Sequence, residues 1–273
     1  MMLAITSARS ALAYARAEAR TMIVDRGALA VDMVLATAVP ILLQVAVWSA
    51  IFASGSDVGI DLASLISYYV FVVGLSRINN GYDVVEQFSE AVHRGTLDPH
   101  LVRPLPYWLQ RLAGFVGGST VYLVVMVVAL GIDVVARPLP RDVCVFDILA
   151  FLLVALAVLL VSQVLTFFVA FTLALLVAWS TRPDLALSLL ILLQTVLGGT
   201  VLPPGLWGGS LRWFMTHNPF AYMLAAPAEF LSSRDVGLAI PSLLGALAYI
   251  AIFAFASWIL WRVMMRRFEG VGG

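Results

Sequence analysis

The sequence predicts an all-α integral membrane protein with six transmembrane helices. Of its 273 residues, 62% are hydrophobic and only 12% are charged, whereas an average soluble domain has about 45–50% and about 25%. Long uncharged stretches recur, and about 20 consecutive apolar residues are what a helix needs to cross the hydrocarbon layer. Because a soluble fold of this length could not bury so much apolar surface, we expect most of the chain to lie in a bilayer.

The charged and sulfur-bearing residues exclude several kinds of site. All 16 basic residues are arginine, so the chain has no lysine for a P-loop, a Schiff base or pyridoxal phosphate. One cysteine and three histidines cannot supply the clustered ligands of a usual zinc site. With a formal net charge of zero, nothing indicates nucleic acid as a partner. We therefore expect no catalytic residue, metal or cofactor on this chain.

Residues 8–26 read as an amphipathic helix that lies on the membrane. The start of the chain lacks the continuous apolar stretch of a signal peptide, so we expect it to be retained. Small and apolar residues recur at spacings of four and three, and arginines line the adjacent face: Ala8, Leu12, Ala15, Ala19 and Met22, beside Arg9, Arg16 and Arg20. Guanidinium groups so placed can reach lipid phosphates. The alternative is a cytosolic helix packed on another subunit.

The first two spans differ in how clearly they are bounded. The first runs from about Met33 to Phe52 and contains Pro40, which is expected to kink it. The second begins near Leu62, and its uncharged part stops at Ser76. It must then use residues 77–80 as a snorkelling end or thin the bilayer locally. Residues 81–111 are predicted to be the main exposed loop.

Four further spans are predicted. The third covers Ala113 to Ile132 and the sixth about Ser242 to Trp261. The fourth comes from 31 residues, 148–178, that contain no charge, glycine or proline, so we expect one long tilted helix that projects beyond the bilayer. The fifth covers Leu185 to Leu202. Residues 203–234 are too polar, and too broken by proline and glycine, to span.

Arginine counts predict the orientation. Six spans place both termini on one side, and twelve arginines fall on that side against four opposite: Arg9, Arg16, Arg20, Arg26, Arg77, Arg94, Arg103, Arg111, Arg182, Arg262, Arg266 and Arg267 against Arg137, Arg141, Arg212 and Arg234. The positive-inside rule then places the termini and the 81–111 loop in the cytoplasm.

The loop within residues 86–106 has the pattern of a short docking helix. Gly95 can stop a helix, Thr96 can cap a new one, and Pro99 suits its first turn. A short helix bounded by Gly95 and Pro104 and held at the membrane face is suited to contact a cytosolic partner. The alternative is an ordinary solvated connection.

Residues 198–227, on the opposite side, suggest a hairpin that dips into the outer leaflet. Prolines and paired glycines interrupt two short aromatic-rich segments, and non-helical backbone at membrane depth needs shelter from protein. Trp207, Trp213 and Tyr222 would sit at the interface. The alternative is a surface loop anchored by its aromatic residues.

The motif Gly95-Thr-Leu-Asp-Pro-His-Leu-Val-Arg-Pro104, followed by the broken segment with Pro203, Pro204, Asn218, Pro219, Phe220 and Pro227, resembles the permease subunits of ABC-2 type exporters. The resemblance covers the whole chain, 1–273, as a single transmembrane domain. It implies an ATPase-coupling helix made by Glu90, Arg94, Gly95, Leu97, Asp98, Leu101, Arg103 and Pro104. It also implies an external gate made by Pro203, Pro204, Asn218 and Pro219.

The same resemblance implies the partners. They are two copies of a cytosolic ATPase that carries the ATP and Mg, a second permease that is identical or related, and membrane lipids. The expected location is the bacterial plasma membrane, with both termini cytoplasmic. The similarity extends to bacterial permeases that pair with a sister chain and resemble daunorubicin-type exporters.

Polar residues inside the spans are the remaining candidates, because in hydrocarbon they should face protein or a water-filled cavity. The candidates for a substrate path are Gln44, Gln163, Thr166, Gln194 and Thr195. The alternative for each is an interhelical hydrogen bond, which contributes about 0.6–2 kcal/mol. Asp32 and Asp133 fall near span ends and are expected to be interfacial.

Two other functions stay open at this point. An ion-coupled secondary carrier would show internal repeats and buried ionisable residues at mid-membrane, and the predicted span centres carry none. A membrane anchor or assembly factor would transport nothing.

Overall fold

A computed structural model describes residues 2–24, 26–55, 59–103, 105–137, 144–177 and 183–267, and these ranges contain helices and turns but no strand. The α-helices are α1 (Met2–Val24), α2 (Arg26–Met33), α3 (Val39–Ala53), α4 (Leu62–Ile78), α5 (Tyr82–His93), α6 (Asp98–Leu101), α7 (Tyr107–Ser119), α8 (Leu123–Ala136), α9 (Val145–Val177), α10 (Pro183–Leu197), α11 (Gly209–His217), α12 (Pro219–Met223), α13 (Ala225–Ser233) and α14 (Ala239–Arg267).

Within the described residues, five helical stretches are long and apolar enough to cross a bilayer: Arg26–Ala53, Leu62–His93, Tyr107–Ala136, Val145–Val177 and Val236–Arg266. They confirm an all-α membrane fold. The predicted fifth span is shorter than expected, because α10 has 15 residues and ends at Leu197. Gly198 and Gly199 follow, and the φ of +81° at Gly199 turns the chain away. At about 1.5 Å per residue, α10 falls short of the roughly 30 Å hydrocarbon layer.

The first four spans alternate in direction, and α14 runs parallel to α9, because the short α10 returns the chain between them. The bundle has two ends. At the "hairpin end", the start of α4, the end of α8 and the end of α13 meet, as the hydrogen bonds of Arg137 to Ser64 and Ser232 show. At the "α6 end" lie α5, α6, the start of α7 and the end of α14. The predicted coupling residues that the structure describes lie at the α6 end, and the predicted gate residues lie toward the hairpin end.

The first span changes from an α-helix to a π-helical turn close to Pro40, the residue that was expected to kink it. Residues Val34–Ala38 form a π-helical turn immediately before the proline, and Thr37 within it is buried. Proline lacks an amide hydrogen and crowds the preceding turn, and a wider turn relieves that conflict.

The second span is not a short helix with a snorkelling arginine, as the uncharged stretch suggested. It breaks at residues 79–81 and continues as α5, so Arg77 lies midway along a 32-residue candidate span. The Nη2 of Arg77 donates to both carboxylate oxygens of Asp32 at 2.6 Å. The expectation that the span centres hold no ionisable residue was therefore wrong.

The fourth span matches its prediction closely. The 33 residues of α9 extend about 50 Å, well beyond the roughly 30 Å hydrocarbon layer. At the α6 end, α9 joins α5, α7 and α14 through the rings of Phe88, Tyr107, Phe171 and Trp261, whose centroids lie 5.5–6.4 Å apart. The sixth span likewise exceeds its predicted limits and reaches Arg267.

The N-terminal helix packs on α7 of its own chain. A methyl group built on Gly117 of α7 would lie 2.1 Å from the carbonyl oxygen of Ala15, so only glycine permits this approach. Ala15 belongs to the small-residue face that the sequence assigned to the bilayer. That face therefore contacts α7, and Arg16 and Arg20 remain exposed.

Candidate functional site

The "α6 segment" runs from the end of α5 through α6 to the start of α7. It has most of the turn features that the sequence predicts. Gly95 has a φ of +64°, the left-handed conformation that commonly ends a helix. Pro99 lies in the first turn of the short helix α6. Thr96 does not cap that helix. The N-cap position of α6 is occupied by Leu97, whose side chain makes no capping hydrogen bond. Pro104 lies outside the described residues.

The predicted exposed loop has a buried inner face. In α5, the side chains of Val84, Val85 and Phe88 are buried, and Leu97 is 0% exposed. Leu97 is therefore packed inside the chain and supports the segment from within. The apolar residue on the outer surface is Val102, which is 85% exposed.

Charged residues complete the outer surface of this segment. Arg94 and Glu90 form an exposed ion pair at 3.2 Å, and Asp98 and Leu101 are half-buried. Arg103 is exposed and donates a hydrogen bond to the hydroxyl of Tyr14 in α1. The predicted coupling residues other than Leu97 and Pro104 thus reach the surface of one compact segment, with Gly95 forming its turn.

Gln110 of α7, which is 2% exposed, fixes this segment to the bundle. Its Nε2 donates to the carbonyl oxygens of Leu105 (2.6 Å) and His100 (3.0 Å). Its Oε1 accepts from the hydroxyl of Tyr14 at 3.0 Å. One buried amide therefore joins α1, the α6 segment and α7. Burial also lowers the pKa of His100 below its ordinary value.

Two of the four predicted gate residues, Asn218 and Pro219, lie in the hairpin α11–α13, in which α11 is largely exposed and α12 and α13 are mostly buried. The side chain of Asn218 is buried, and its Oδ1 accepts from the amide of Ala221 at 2.9 Å. Its Nδ2 donates to the carbonyl oxygens of Leu197, Phe214 and Met215. Asn218 thus ties the end of α10 to the turn of the hairpin, and Pro219 opens α12 as expected.

Two tyrosines of α4 bind the loop that leads to Pro203. The hydroxyl of Tyr68 donates to the carbonyl oxygen of Gly199 at 2.9 Å, and that of Tyr69 to Val201 at 3.0 Å. Pro203 and Pro204 are both buried at the start of a 3-10 turn. The gate residues are therefore fixed to the second span from one side and to α10 from the other.

An ionic cluster closes the hairpin at its far end. The side chain of Asp133 is 5% exposed, and its carboxylate pairs with Arg137 and Arg234, each at 2.5 Å. The hydroxyl of Ser67 donates to the same carboxylate at 2.6 Å. Arg234 adopts a left-handed φ of +57°, which turns its side chain back to Asp133. Asp133, expected to be interfacial, is therefore a buried anchor.

The predicted path residues separate into two groups. Gln44, Gln194 and Thr195 line one cavity of about 450 Å³, the "amide cavity", together with Ser76, Arg77 and Asn80. Gln163 and Thr166 do not line it. Gln163 donates to Ser119 across the α7–α9 contact, and Thr166 to a carbonyl of its own helix, so both serve helix packing.

A second cavity, the "inner cavity" of about 270 Å³, lies between α1, α5 and α7. Its lining includes Glu18, Asp32, Arg77, Asn80, Asp83 and Arg111. Arg77 and Asn80 line both cavities, so the two meet at the break between α4 and α5. Glu18, Asp83 and Arg111 were not singled out by the sequence.

A third cavity, the "hairpin cavity" of about 270 Å³, lies at the hairpin end. Its lining includes Ser64, Tyr68, Pro203, Gly205, Glu229 and Leu238. Within the described part of the chain, no ion pair involves Glu229. Burial raises the pKa of Glu229, in α13 and outside the candidate spans, to about 7.

Sequence reasoning missed Gln110, Arg77 and Val102 as functional candidates. Gln110 carries one available signal, since it is a lone amide at the start of an apolar span. Arg77 was read as a span end because the break at 79–81 hides the continuation of the helix. The exposure of Val102 depends on which side of a single turn faces the bundle, and a four-residue helix has too little periodicity to show it.

Comparison with protein-family models finds a match to the ABC-2 family transporter proteins over residues 38–272. The match includes the α6 segment, the hairpin and all but the start of the first span. No individually curated protein matches the chain.

Proposed function

The chain belongs to the ABC-2 transporter family, and we propose that it is the permease subunit of an ATP-binding-cassette exporter in the bacterial plasma membrane. ATP and Mg would bind a separate cytosolic ATPase, present in two copies. Two permeases, identical or related, would form the path. Closure of the ATPases would move the spans between inward-open and outward-open states.

The observation that carries this proposal is the construction of the α6 segment. Its outer surface presents Val102 and the Arg94–Glu90 pair, as a docking surface requires. Its inner side reaches the ring cluster of Phe88, Tyr107, Phe171 and Trp261, which includes the ends of α7, α9 and α14. A partner that displaces the segment therefore displaces three spans with it, because packed interiors transmit strain.

The amide cavity is the best-supported place for substrate. Its walls come from α3, the break after α4, α10 and the chain before Pro203, so the proposed gate residues lie next to it. Gln44 donates to the carbonyl oxygen of Thr200 at 3.2 Å, and Gln194 to that of Asn79 at 2.7 Å. The first bond joins α3 to the chain after α10, and the second joins α10 to the break after α4. A relative shift of α10 would therefore change the shape of the cavity.

The orientation can be tested on the natural chain. Cys144 is the sole cysteine, and it is exposed at the hairpin end. In intact cells it should react with a membrane-impermeant maleimide. In a Cys144→Ser background, Ser210→Cys should also react and Thr96→Cys should not. Labelling of Thr96→Cys from outside, with Ser210→Cys protected, would overturn the orientation.

The subunit composition is tested by purification of the tagged chain in mild detergent. A copurifying ATPase with its own P-loop is the expected result. A chain that purifies alone and transports in response to an ion gradient would favour the secondary carrier. A chain that purifies alone with no transport would favour the anchor.

A further inference from the structure

Arg77 stands between the amide cavity and the inner cavity. Both cavities include Arg77 and Asn80 in their lining, and both residues belong to the break where α4 gives way to α5. Asn79, at the same break, is 0% exposed, and its Nδ2 donates to Met223 and Ser162. The backbone around Arg77 is therefore fixed, and the arginine side chain is the part that can move.

The partners of Arg77 all lie on the inner-cavity side. Its Nη2 donates to Asp32, and the hydroxyl of Tyr122 donates to the same carboxylate at 2.7 Å. Asp32 and Tyr122 line the inner cavity and are absent from the lining of the amide cavity. The Nε–H of Arg77 is buried and has no acceptor among the described residues. Such a donor costs free energy until an acceptor reaches it.

The two cavities have opposite charge character. The inner cavity holds the carboxylates of Glu18, Asp32 and Asp83 beside Arg77 and Arg111. The lining of the amide cavity, all of it described, contains one arginine and no acid. Its other walls mix amides and hydroxyls with the apolar side chains of residues such as Val73 and Ile191. A cationic ligand would meet only Arg77 there, whereas an anionic one would compete with Asp32 for it.

We propose that the amide cavity binds an amphiphile with an acidic head, a carboxylate or a phosphate ester, and that Arg77 exchanges Asp32 for this head when the ligand enters. When Arg77 leaves Asp32 for the ligand, the ion pair that separates the two cavities is broken. The same exchange would therefore recognise the ligand and connect the amide cavity with the inner cavity. This inference rests on the proposed function only where it treats the two cavities as a transport path. The binding of the ligand does not depend on the proposed function.

The test measures binding on the full chain in phosphatidylcholine nanodiscs without nucleotide. The probe is a fluorescent lysophosphatidic acid, followed by anisotropy, with an alkylammonium of equal chain length as competitor. Arg77→Gln should weaken probe binding about tenfold or more, because a charge-assisted bond is lost. Asp32→Asn should tighten binding, because the competing carboxylate is gone. The exposed residues Asp147 and Arg262 supply matched controls, Asp147→Asn and Arg262→Gln, with unchanged binding expected.

Arg77→Gln and Asp32→Asn are expected to change probe binding in opposite directions. This difference distinguishes a role in ligand recognition from a role in holding the fold. If the pair only held the fold, both variants would weaken binding together, and the proposal would fail. It would fail also if the alkylammonium displaced the probe from the wild-type chain. Nanodiscs that contain phosphatidylglycerol identify the source of the head: competition with the probe indicates a membrane lipid, and its absence a separate amphiphile. None of these results depends on an ATPase, so the exporter proposal stands or falls separately.

Discussion

The α6 segment and the hairpin are both broken, polar interruptions of an apolar chain, yet they are built in opposite ways. The hairpin is held by buried polar groups: Asn218 makes four hydrogen bonds, and Asp133 of α8 pairs with two arginines at its far end. The α6 segment keeps its charges outside, and its ion pair between Arg94 and Glu90 joins side chains that are 71% and 52% exposed. The hairpin is therefore fixed by buried contacts, whereas the α6 segment presents exposed charges, as the proposed docking surface requires.

The largest expected effect follows from removal of the charge at the hairpin anchor. Asp133→Asn leaves Arg137 and Arg234 without their shared carboxylate, and breaking a buried ion pair costs about 3–5 kcal/mol. The apparent Tm of the purified chain, followed by fluorescence-detected size exclusion, should fall strongly. Asp147→Asn, which removes an exposed acid, should leave it unchanged. Equal Tm values for both variants would show that the cluster does not anchor the hairpin.

A smaller loss of stability is expected from the hairpin turn. Asn218→Ala removes a helix cap, an interaction that contributes about 1–2 kcal/mol, and leaves the carbonyl of Leu197 without this partner. The apparent Tm should fall, but by less than for Asp133→Asn. Thr216→Ala, two residues earlier near the end of α11, changes only hydrogen bonds within its own turn and serves as the control. A Tm at the control value would remove Asn218 from the proposed gate.

Glu229 gives the hairpin a dependence on pH. Because burial raises its pKa from 4.5 to about 7, the folded chain holds this proton more tightly than the unfolded chain does. The stability that results is complete below about pH 4.5 and is lost as the pH rises through about 7. The apparent Tm should therefore decline between pH 5 and pH 8 by a component that Glu229→Gln lacks. Parallel Tm profiles for the two chains would refute this assignment.

The smallest effect on stability is expected in the α6 segment. Arg94→Gln breaks an exposed ion pair, and such pairs contribute about 0–1 kcal/mol. The apparent Tm should change little, in contrast to the arginines of the hairpin. A fall as large as that for Asp133→Asn would mean that the two regions are not built differently.

Much of the fold follows from periodicity and composition. The long uncharged stretch gave α9 to within three residues at its start, because nothing in it can end a helix. The turn at Gly95 and the cap at Asn218 were equally accessible, since each depends on local backbone chemistry.

Other features depend on contacts that no local pattern contains. The second span continues past Asn79 because Ser162 and Met223 accept hydrogen bonds from its side-chain Nδ2, and the α1–α7 contact depends on the space that Gly117 leaves. The burial of Leu97 and the exposure of Val102 are set by which side of one turn meets α5 and α7. Of the five proposed path residues, three share a cavity, because a polar residue in a span serves packing or a cavity equally well.

The claim that the α6 segment is the docking surface is tested most directly by two matched substitutions of exposed valines. Val102→Asp places a charge on the α6 segment, and Val236→Asp places the same charge at the hairpin end, where the valine is 50% exposed. The measurement is the amount of ATPase that copurifies with each tagged chain from the same membranes. Val102→Asp should reduce it about tenfold or more, because a docking residue can contribute about 2 kcal/mol, and Val236→Asp should leave it at the wild-type level. Wild-type recovery with Val102→Asp would contradict the account.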